Sequence, residues 1–139
     1  HVIPALIRRI HTAKKEGHET VSIWGTGRVR REFLYVDDLA RACIRIMLTH
    51  RAEWEALGEP DCQHVNVGAG VDMTISELAA QICEVVDFSG VLQFDDSKPD
   101  GVPQKLLSID RIKRLGWEPV ISFKNGLFQA YEDFVANHE

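Results

Sequence analysis

The residues best suited to ligand chemistry lie between positions 24 and 38. A Trp-Gly-Thr-Gly motif at residues 24–27 is followed by three arginines, Arg28, Arg30 and Arg31. An indole ring can stack on a flat base, and guanidinium groups form paired hydrogen bonds with phosphates. The motif therefore favours a ligand with an aromatic base and phosphates. A solvated arginine cluster and a tryptophan packed into the core are the alternatives.

The chain contains no dinucleotide-binding loop. The pair Gly25-x-Gly27 is followed three residues later by Arg30, and Gly68-x-Gly70 by Met73, where the fingerprint requires a third glycine. A Tyr-x-x-x-Lys pair is also missing from the sequence. Both glycine pairs are predicted to form turns, and the chemistry that this chain serves must be completed elsewhere.

The acidic loop at residues 95–101 is predicted to be a structural turn. Its sequence, Asp-Asp-Ser-Lys-Pro-Asp-Gly, lacks the glutamate and the spacing of a calcium site. Lys98 and Lys105 lie in or beside this loop and could reach a phosphate. The six histidines show no metal-ligand spacing. We expect no metal in this chain.

Composition narrows the class of protein. The 139 residues fit one domain, with 45% hydrophobic and 27% charged residues, as in globular proteins. The net charge of −5 argues against nucleic-acid binding, and no apolar run is long enough to span a bilayer. Cys43 and Cys83 lie in apolar helical patterns, which predicts buried, inert thiols. The chain starts at His1 without methionine, so we interpret it as part of a longer protein.

Periodicity predicts five helices. The first starts at Val2 and stops at Gly17. Asp37 is the expected N-cap of the second, Thr74 and Glu77 form a capping box for the third, Ser108 caps a short helix ending at Gly116, and Ser122 caps the last. The buried faces are expected to be Leu39, Ala40, Cys43, Ile44, Met47 and Leu48 in the second helix, Ile75, Leu78, Ala79, Ile82 and Val86 in the third, and Phe123, Leu127, Ala130, Tyr131 and Phe134 in the last.

Strands are predicted at residues 21–24, 31–36, 64–67 and 91–94. Polar loops are predicted at residues 51–63 and 95–105, and the first of these loops has room for one helical turn. Alternation of helices and short strands indicates an α/β class with a small mixed sheet.

Five segments together resemble the GDP-L-fucose synthases, a family within the extended short-chain dehydrogenase/reductases. These are residues 1–9 (His-Val-Ile-Pro-Ala-Leu-Ile-Arg-Arg), 24–27, 31–38 (Arg-Glu-Phe-Leu-Tyr-Val-Asp-Asp), 66–68 (Asn-Val-Gly) and 97–101 (Ser-Lys-Pro-Asp-Gly). Two of these segments, residues 31–38 and 66–68, are common to nucleotide-sugar epimerases and dehydratases in general. The other three segments are the narrower match.

The resemblance implies that residues 1–139 are the C-terminal substrate-binding domain of an NADPH-dependent epimerase/reductase whose Rossmann domain is missing. That enzyme family converts GDP-4-keto-6-deoxy-D-mannose to GDP-L-fucose. We expect a cytoplasmic homodimer as the full-length protein, with NADPH bound mainly by the missing domain, and an inactive isolated fragment.

The resemblance also implies residue roles. His1 would be the catalytic acid/base, close to the nicotinamide, since an imidazole exchanges a proton near neutral pH. Substrate-binding residues would be Arg9, Trp24, Arg31, Asp100 and Lys105. Two alternatives remain: the substrate domain of a GDP-mannose 4,6-dehydratase or a sugar 4-epimerase, and a non-catalytic nucleotide-binding module.

Overall fold

The computed structural model describes residues 1–58 and 64–138, and this part of the chain contains six helices and five strands. In chain order they are α1 (Val2–Glu16), β1 (Thr20–Trp24), β2 (Arg30–Glu32), α2 (Val36–Met47), α3 (Arg51–Glu55), β3 (Asp72–Thr74), α4 (Ile75–Val86), β4 (Val91–Asp95), β5 (Gln104–Lys105), α5 (Asp110–Arg114) and α6 (Phe123–His138). The predicted α/β class with small sheets is confirmed.

The chain divides into two units. The first comprises His1–Arg31, Met73–Gln104 and Lys124–Glu139, and the second comprises Glu32–Asp72 and Lys105–Phe123. The expected single substrate-binding domain over residues 1–139 stays a prediction. Strands β3, β2 and β5 form a three-stranded sheet in that order.

The first unit is built on β1 and β4, which pair in parallel from Thr20–Val91 to Trp24–Asp95. Helix α1 contacts both β1 and α4. Burial in these three elements follows the predicted periodicities, with Leu6, Ile7, Ile10 and Ala13 buried in α1, Val21 and Ile23 in β1, and Ile75, Leu78, Ala79, Ile82 and Val86 in α4.

Local signals explain the ends of α1 and the start of α4. Gly17 ends α1 with a left-handed φ of 71°, which a glycine adopts without a steric penalty. The Thr74 hydroxyl accepts from the Glu77 amide, and the Glu77 carboxylate accepts from the Thr74 amide. Both predicted features are confirmed. The Lys14 ammonium donates to the Val86 carbonyl at 2.8 Å, so α1 also caps the end of α4.

The second unit has a core of Ala42, Ile109, Ile112 and Trp117. Leu34, Ile46, Val65 and Val67 pack against it. Residues 64–67 were predicted to be a strand, and this is wrong because they have no ladder partner. Their alternation instead reflects the two valines facing the core, while the Asn66 side chain donates to the Ser108 carbonyl at 3.2 Å.

The predicted strand at residues 31–36 is too long. β2 ends at Glu32, and Tyr35 is the N-cap of α2, which already begins at Val36. Asp37 is therefore not the N-cap and lies inside the first turn of α2. Its negative charge there interacts favourably with the helix dipole. Similarly, α5 has Ile109 as its N-cap, and the Ser108 hydroxyl donates to the Asp110 carboxylate at 2.8 Å.

The predicted buried face of α2 is also wrong. Leu39, Ile44, Met47 and Leu48 are exposed, as is Cys43, which contradicts the expected buried thiol. The inward side carries Asp38 and Ala42. Cys83 is half-buried, and burial raises the pKa of its thiol.

The two predicted loops contain short regular elements. One helical turn in the 51–63 stretch is confirmed as α3, and residues 59–63, with Cys62, lie outside the described residues. The 95–105 loop ends in β5, which the sequence did not predict. In the described part of the chain, no helix has the length and hydropathy of a membrane span.

Candidate functional site

The candidate site lies in the first unit, where β1 and β4 end side by side. Trp24 is paired with Asp95 in the last register position, and the Gly25 amide donates to the Asp95 carbonyl at 2.9 Å. Because parallel strands end at the same edge, the loops that follow each strand meet there. The sequence motifs at residues 24–27 and 97–101 are thereby brought together.

The Asp100 carboxylate joins these two loops. It accepts from the Thr26 amide at 2.7 Å and from the Thr26 hydroxyl at 2.6 Å. These hydrogen bonds to Thr26 lower the pKa of Asp100, with a smaller contribution from the positive charge of Arg28. Since Asp100 is engaged by Thr26, its observed role is to hold the loop. Its expected contact with a substrate stays a prediction.

Glycine is required at positions 25 and 27 by conformation and by space. Their φ angles are 86° and 74°. A Cβ on Gly25 would fall on the Asp100 carboxylate, and one on Gly27 would fall on the Phe94 ring. The turn can therefore close on the β4 loop only with glycine at both positions.

Arg31 holds the other side of the same loop. One of its guanidinium nitrogens donates to the carbonyls of Val102 and Arg30, each at 2.7 Å. The Arg30 amide donates to the Pro103 carbonyl at 2.8 Å. We name Trp24, Thr26, Arg31 and Asp100 the strand-end cluster, because the ends of β1 and β4 place Trp24, Thr26 and Asp100, and Arg31 reaches the loop after β4 from β2.

Trp24 is exposed at the end of β1, with 68% of its surface accessible. Burial in β1 alternates, so that Val21 and Ile23 face the core and the Trp24 ring faces outward. The alternative of a tryptophan packed into the core of this structure is thus excluded. An exposed indole on a rigid strand is available for stacking.

Arg9 lies close to the strand-end cluster. Its guanidinium donates to the carbonyl of Ser22 at 2.6 Å, two residues before Trp24 in β1. His1 and Arg9 share a groove of about 420 Å³ with Pro4, Ala5 and Arg8. The structure thus brings His1 and Arg9 together in one groove. Because Arg8 and Arg9 both line this groove, it favours the binding of an anion.

Lys105 is placed differently. It lies in β5, is exposed, and belongs to the second unit. Its expected part in substrate binding stays a prediction, as do the expected roles of the other five residues.

Neither glycine pair can cradle a dinucleotide phosphate. The Thr26 amide is already bound to the Asp100 carboxylate, and the Gly70 amide donates to the Glu32 carboxylate at 2.6 Å. A carboxylate therefore stands where a pyrophosphate would sit, and it would repel the phosphate charge. These two glycine turns therefore do not fit the phosphates of a dinucleotide.

Two carboxylates of the Arg-Glu-Phe-x-x-Val-Asp-Asp motif have roles that the sequence did not reveal. Glu32 accepts from the amides of Gly70 and Leu107, and a Cβ on Gly68 would fall on its carboxylate. Asp38 is fully buried and accepts from the amides of Val120 and Ile121. The sequence carried no local signal for these roles, because the amides that bind the two carboxylates lie 38 to 83 residues further along the chain.

The acidic loop after β4 forms a turn. The Asp95 carboxylate accepts from both the amide and the hydroxyl of Ser97, at 3.1 and 2.5 Å. Within residues 1–58 and 64–138, no group of three or more His, Cys, Asp or Glu side chains is arranged to hold a metal ion.

Comparison with known proteins identifies the class. Residues 1–68 match the NAD dependent epimerase/dehydratase family. The structure of a GDP-mannoheptose C4 reductase from Campylobacter jejuni, with NADP bound, superposes with a TM-score of 0.83 at 35% identity, covering 97% of this chain and 45% of that one. The fold of this chain thus resembles that of a nucleotide-sugar reductase, and the class is that of the NAD dependent epimerases/dehydratases.

Over its whole length the chain is similar to GDP-L-fucose synthases. It is 47% identical over 139 residues to the Escherichia coli enzyme, covering all of this chain and 43% of that protein. It is 47% identical over 137 residues to a putative GDP-L-fucose synthase 2 of Arabidopsis thaliana, covering 99% of this chain and 39% of that protein. The resemblance drawn from the motifs is confirmed, and the chain spans about two-fifths of these relatives.

Proposed function

We propose that this chain is the substrate-binding part of an NADPH-dependent epimerase/reductase that converts GDP-4-keto-6-deoxy-D-mannose to GDP-L-fucose. The observation that carries this proposal is the strand-end cluster with Arg9 beside it. An exposed indole and two guanidinium groups are placed by rigid strands and a helix at one edge of the first unit.

The side-chain types fit a guanosine diphosphate sugar. The diphosphate carries two negative charges, which the guanidinium groups of Arg9 and Arg31 can neutralise through charge-assisted hydrogen bonds. The exposed face of Trp24 can stack on the base. Binding energy from these remote groups holds the sugar in position for chemistry at its ring carbons.

His1 is proposed as the acid/base of epimerisation. The 4-keto group acidifies the protons on both neighbouring carbons, so inversion needs one group to remove a proton and another to return it on the opposite face. His1 lines the groove that also contains Arg9, and an imidazole is suited to the second task. In the longer protein NADPH would be held by residues outside this chain.

The substitution His1→Asn in the longer protein tests the role of His1. We expect it to slow epimerisation at the flanking carbons by about a hundredfold or more, because general acid–base catalysis contributes about 10²–10⁴. Deuterium incorporation from solvent at these carbons is the measurement. His18→Asn, at an exposed histidine that pairs with Glu16, is the matched control.

Undiminished deuterium incorporation in His1→Asn would favour the first rival, a GDP-mannose 4,6-dehydratase or a sugar 4-epimerase. The second rival, a non-catalytic nucleotide-binding module, predicts that the longer protein binds GDP but turns over no GDP-sugar. In either case the isolated 139-residue chain is expected not to oxidise NADPH.

A further inference from the structure

Arg31 is held by one nitrogen and leaves one edge of its guanidinium group open. Nη1 donates to the carbonyls of Arg30 and Val102, each at 2.7 Å. Among the described residues, neither Nε nor Nη2 of Arg31 has a hydrogen-bond partner. These two nitrogens share one edge of the planar group, and such an edge binds a phosphate through two parallel hydrogen bonds. The direction of this edge therefore decides whether Arg31 can bind a diphosphate in that way.

The orientation of Arg31 depends on the loop after β4. The Val102 carbonyl that accepts from Nη1 belongs to that loop, as does Pro103, whose carbonyl accepts from the Arg30 amide at 2.8 Å. The loop thus supplies a fixed acceptor for the guanidinium group. If the loop moved away, Arg31 would keep only the carbonyl of its neighbour Arg30, and its long side chain would regain rotamer freedom.

Two hydrogen bonds from Thr26 hold this loop in place. The Asp100 carboxylate accepts from the amide and the hydroxyl of Thr26, at 2.7 and 2.6 Å, and Asp100 lies just before the Val102 segment. The backbone beside Thr26 is itself fixed, since the Gly27 carbonyl accepts from the Ser76 amide at 2.9 Å, at the start of α4. Hydrogen bonds to a charged acceptor are stronger than those between neutral groups. The Thr26 hydroxyl therefore ties the loop to the framework of the first unit.

We propose that Thr26 is a positioning residue for diphosphate binding. Its hydroxyl holds Asp100, the Asp100 loop holds the Val102 carbonyl, and that carbonyl orients the open edge of Arg31 before the ligand arrives. A side chain that is already ordered loses less conformational freedom on binding, which raises the affinity. Thr26 needs no contact with the ligand, because Asp100 accepts both of its hydrogens. The inference rests on the proposed function, which supplies the diphosphate ligand.

Calorimetric titration of the longer protein with GDP tests the proposal. Thr26→Val removes the hydroxyl and keeps the branched side chain, and we expect Kd to rise about fivefold to tenfold, as for coupled neighbours. Thr26→Ser retains the hydroxyl and should bind GDP within about twofold of wild type. Thr20→Val, at the exposed first residue of β1, is the matched control and should leave Kd unchanged.

A double-mutant cycle with Arg31→Ala separates positioning from a general loss of structure. If Thr26 acts through Arg31, Thr26→Val should change Kd by less than about twofold once the guanidinium group is absent. A role of Thr26 in stability alone would weaken GDP binding by the same factor in both backgrounds. Equal factors would therefore overturn the proposal, as would a Thr26→Ser variant that binds GDP as weakly as Thr26→Val.

Hydrogen exchange at the Arg30 amide reports the position of the loop without any ligand. This amide donates to the Pro103 carbonyl, so it should exchange several times faster in Thr26→Val than in wild type or in Thr26→Ser. An exchange rate that is the same in all three proteins would show that Thr26 does not hold the loop, and it would overturn the proposal.

These readouts do not depend on turnover. A longer protein that makes GDP-L-fucose but shows no coupling between Thr26 and Arg31 in GDP binding would refute the Thr26 inference alone. One that shows this coupling with GDP but converts no GDP-sugar would refute the proposed function alone.

Discussion

Replacing Asp38 by alanine should strongly destabilise the second unit. The carboxylate is fully buried and is the acceptor for the amides of Val120 and Ile121 and for the Arg41 guanidinium at 3.1 Å. Asp38→Ala leaves both amides without this acceptor. At about 1–3 kcal/mol for each unsatisfied buried group, the expected cost is about 2–6 kcal/mol. A natural domain has about 5–15 kcal/mol in total.

Urea denaturation measures this cost. With a slope of about 1–3 kcal/mol per M, a loss near the middle of that range lowers the midpoint by about 2 M. Asp37→Ala is the matched control, since Asp37 is exposed in the same helical turn and its removal costs about 0.3–1 kcal/mol of dipole interaction. Hydrogen exchange at residues 120 and 121 should accelerate in Asp38→Ala alone. Equal midpoints for the two variants would refute the reasoning that Asp38 fixes the orientation of α2.

Three further predictions concern the strand-end cluster and the glycine turn beside it. Arg31→Lys should weaken GDP binding by the longer protein about tenfold in calorimetry, because lysine lacks the bidentate fork; Arg51→Lys is the control, and equal affinities would contradict the role of Arg31. Asp100→Asn should be less stable than wild type at neutral pH. Folding lowers the pKa of Asp100 below its ordinary value of 3.8. The stability difference between wild type and Asp100→Asn should therefore decrease once the pH falls below 3.8, and it should vanish below the folded-state pKa. A stability difference that stays constant with pH would contradict this role of the Asp100 carboxylate. Gly27→Ala should lower the free energy of unfolding by about 1–3 kcal/mol more than Gly17→Ala. Both glycines have a positive φ, but only Gly27 lacks room for a Cβ; equal losses would show that the Phe94 contact is unimportant.

The first unit could be predicted from the sequence because its signals are local. The apolar periodicity of α1, the left-handed Gly17 and the Thr74–Glu77 capping box each determine a structure within a few residues of the signal. The meeting of residues 24–27 with residues 97–101 was not predicted from spacing. It depends on the parallel pairing of β1 with β4, which joins segments about seventy residues apart.

The second unit was predicted less well, since its structure depends on polar groups that bind distant backbone. Hydrophobic periodicity placed the wrong face of α2 inward because it cannot represent Asp38 binding the amides of residues 120 and 121. The alternation of apolar and polar residues around Val65 and Val67 arises because both valines pack against the core. Such packing does not require pairing with another strand. Site residues were suggested by resemblance, and geometry added what resemblance lacked, namely that Asp100 binds Thr26.

The most direct test of the central claim is a substrate comparison with the longer protein. Given NADPH, it should convert GDP-4-keto-6-deoxy-D-mannose to GDP-L-fucose, identified by NMR of the product. The corresponding UDP- and dTDP-linked keto-sugars should be turned over at least a hundredfold less efficiently. Efficient turnover of the UDP- or dTDP-sugars alone would contradict the account.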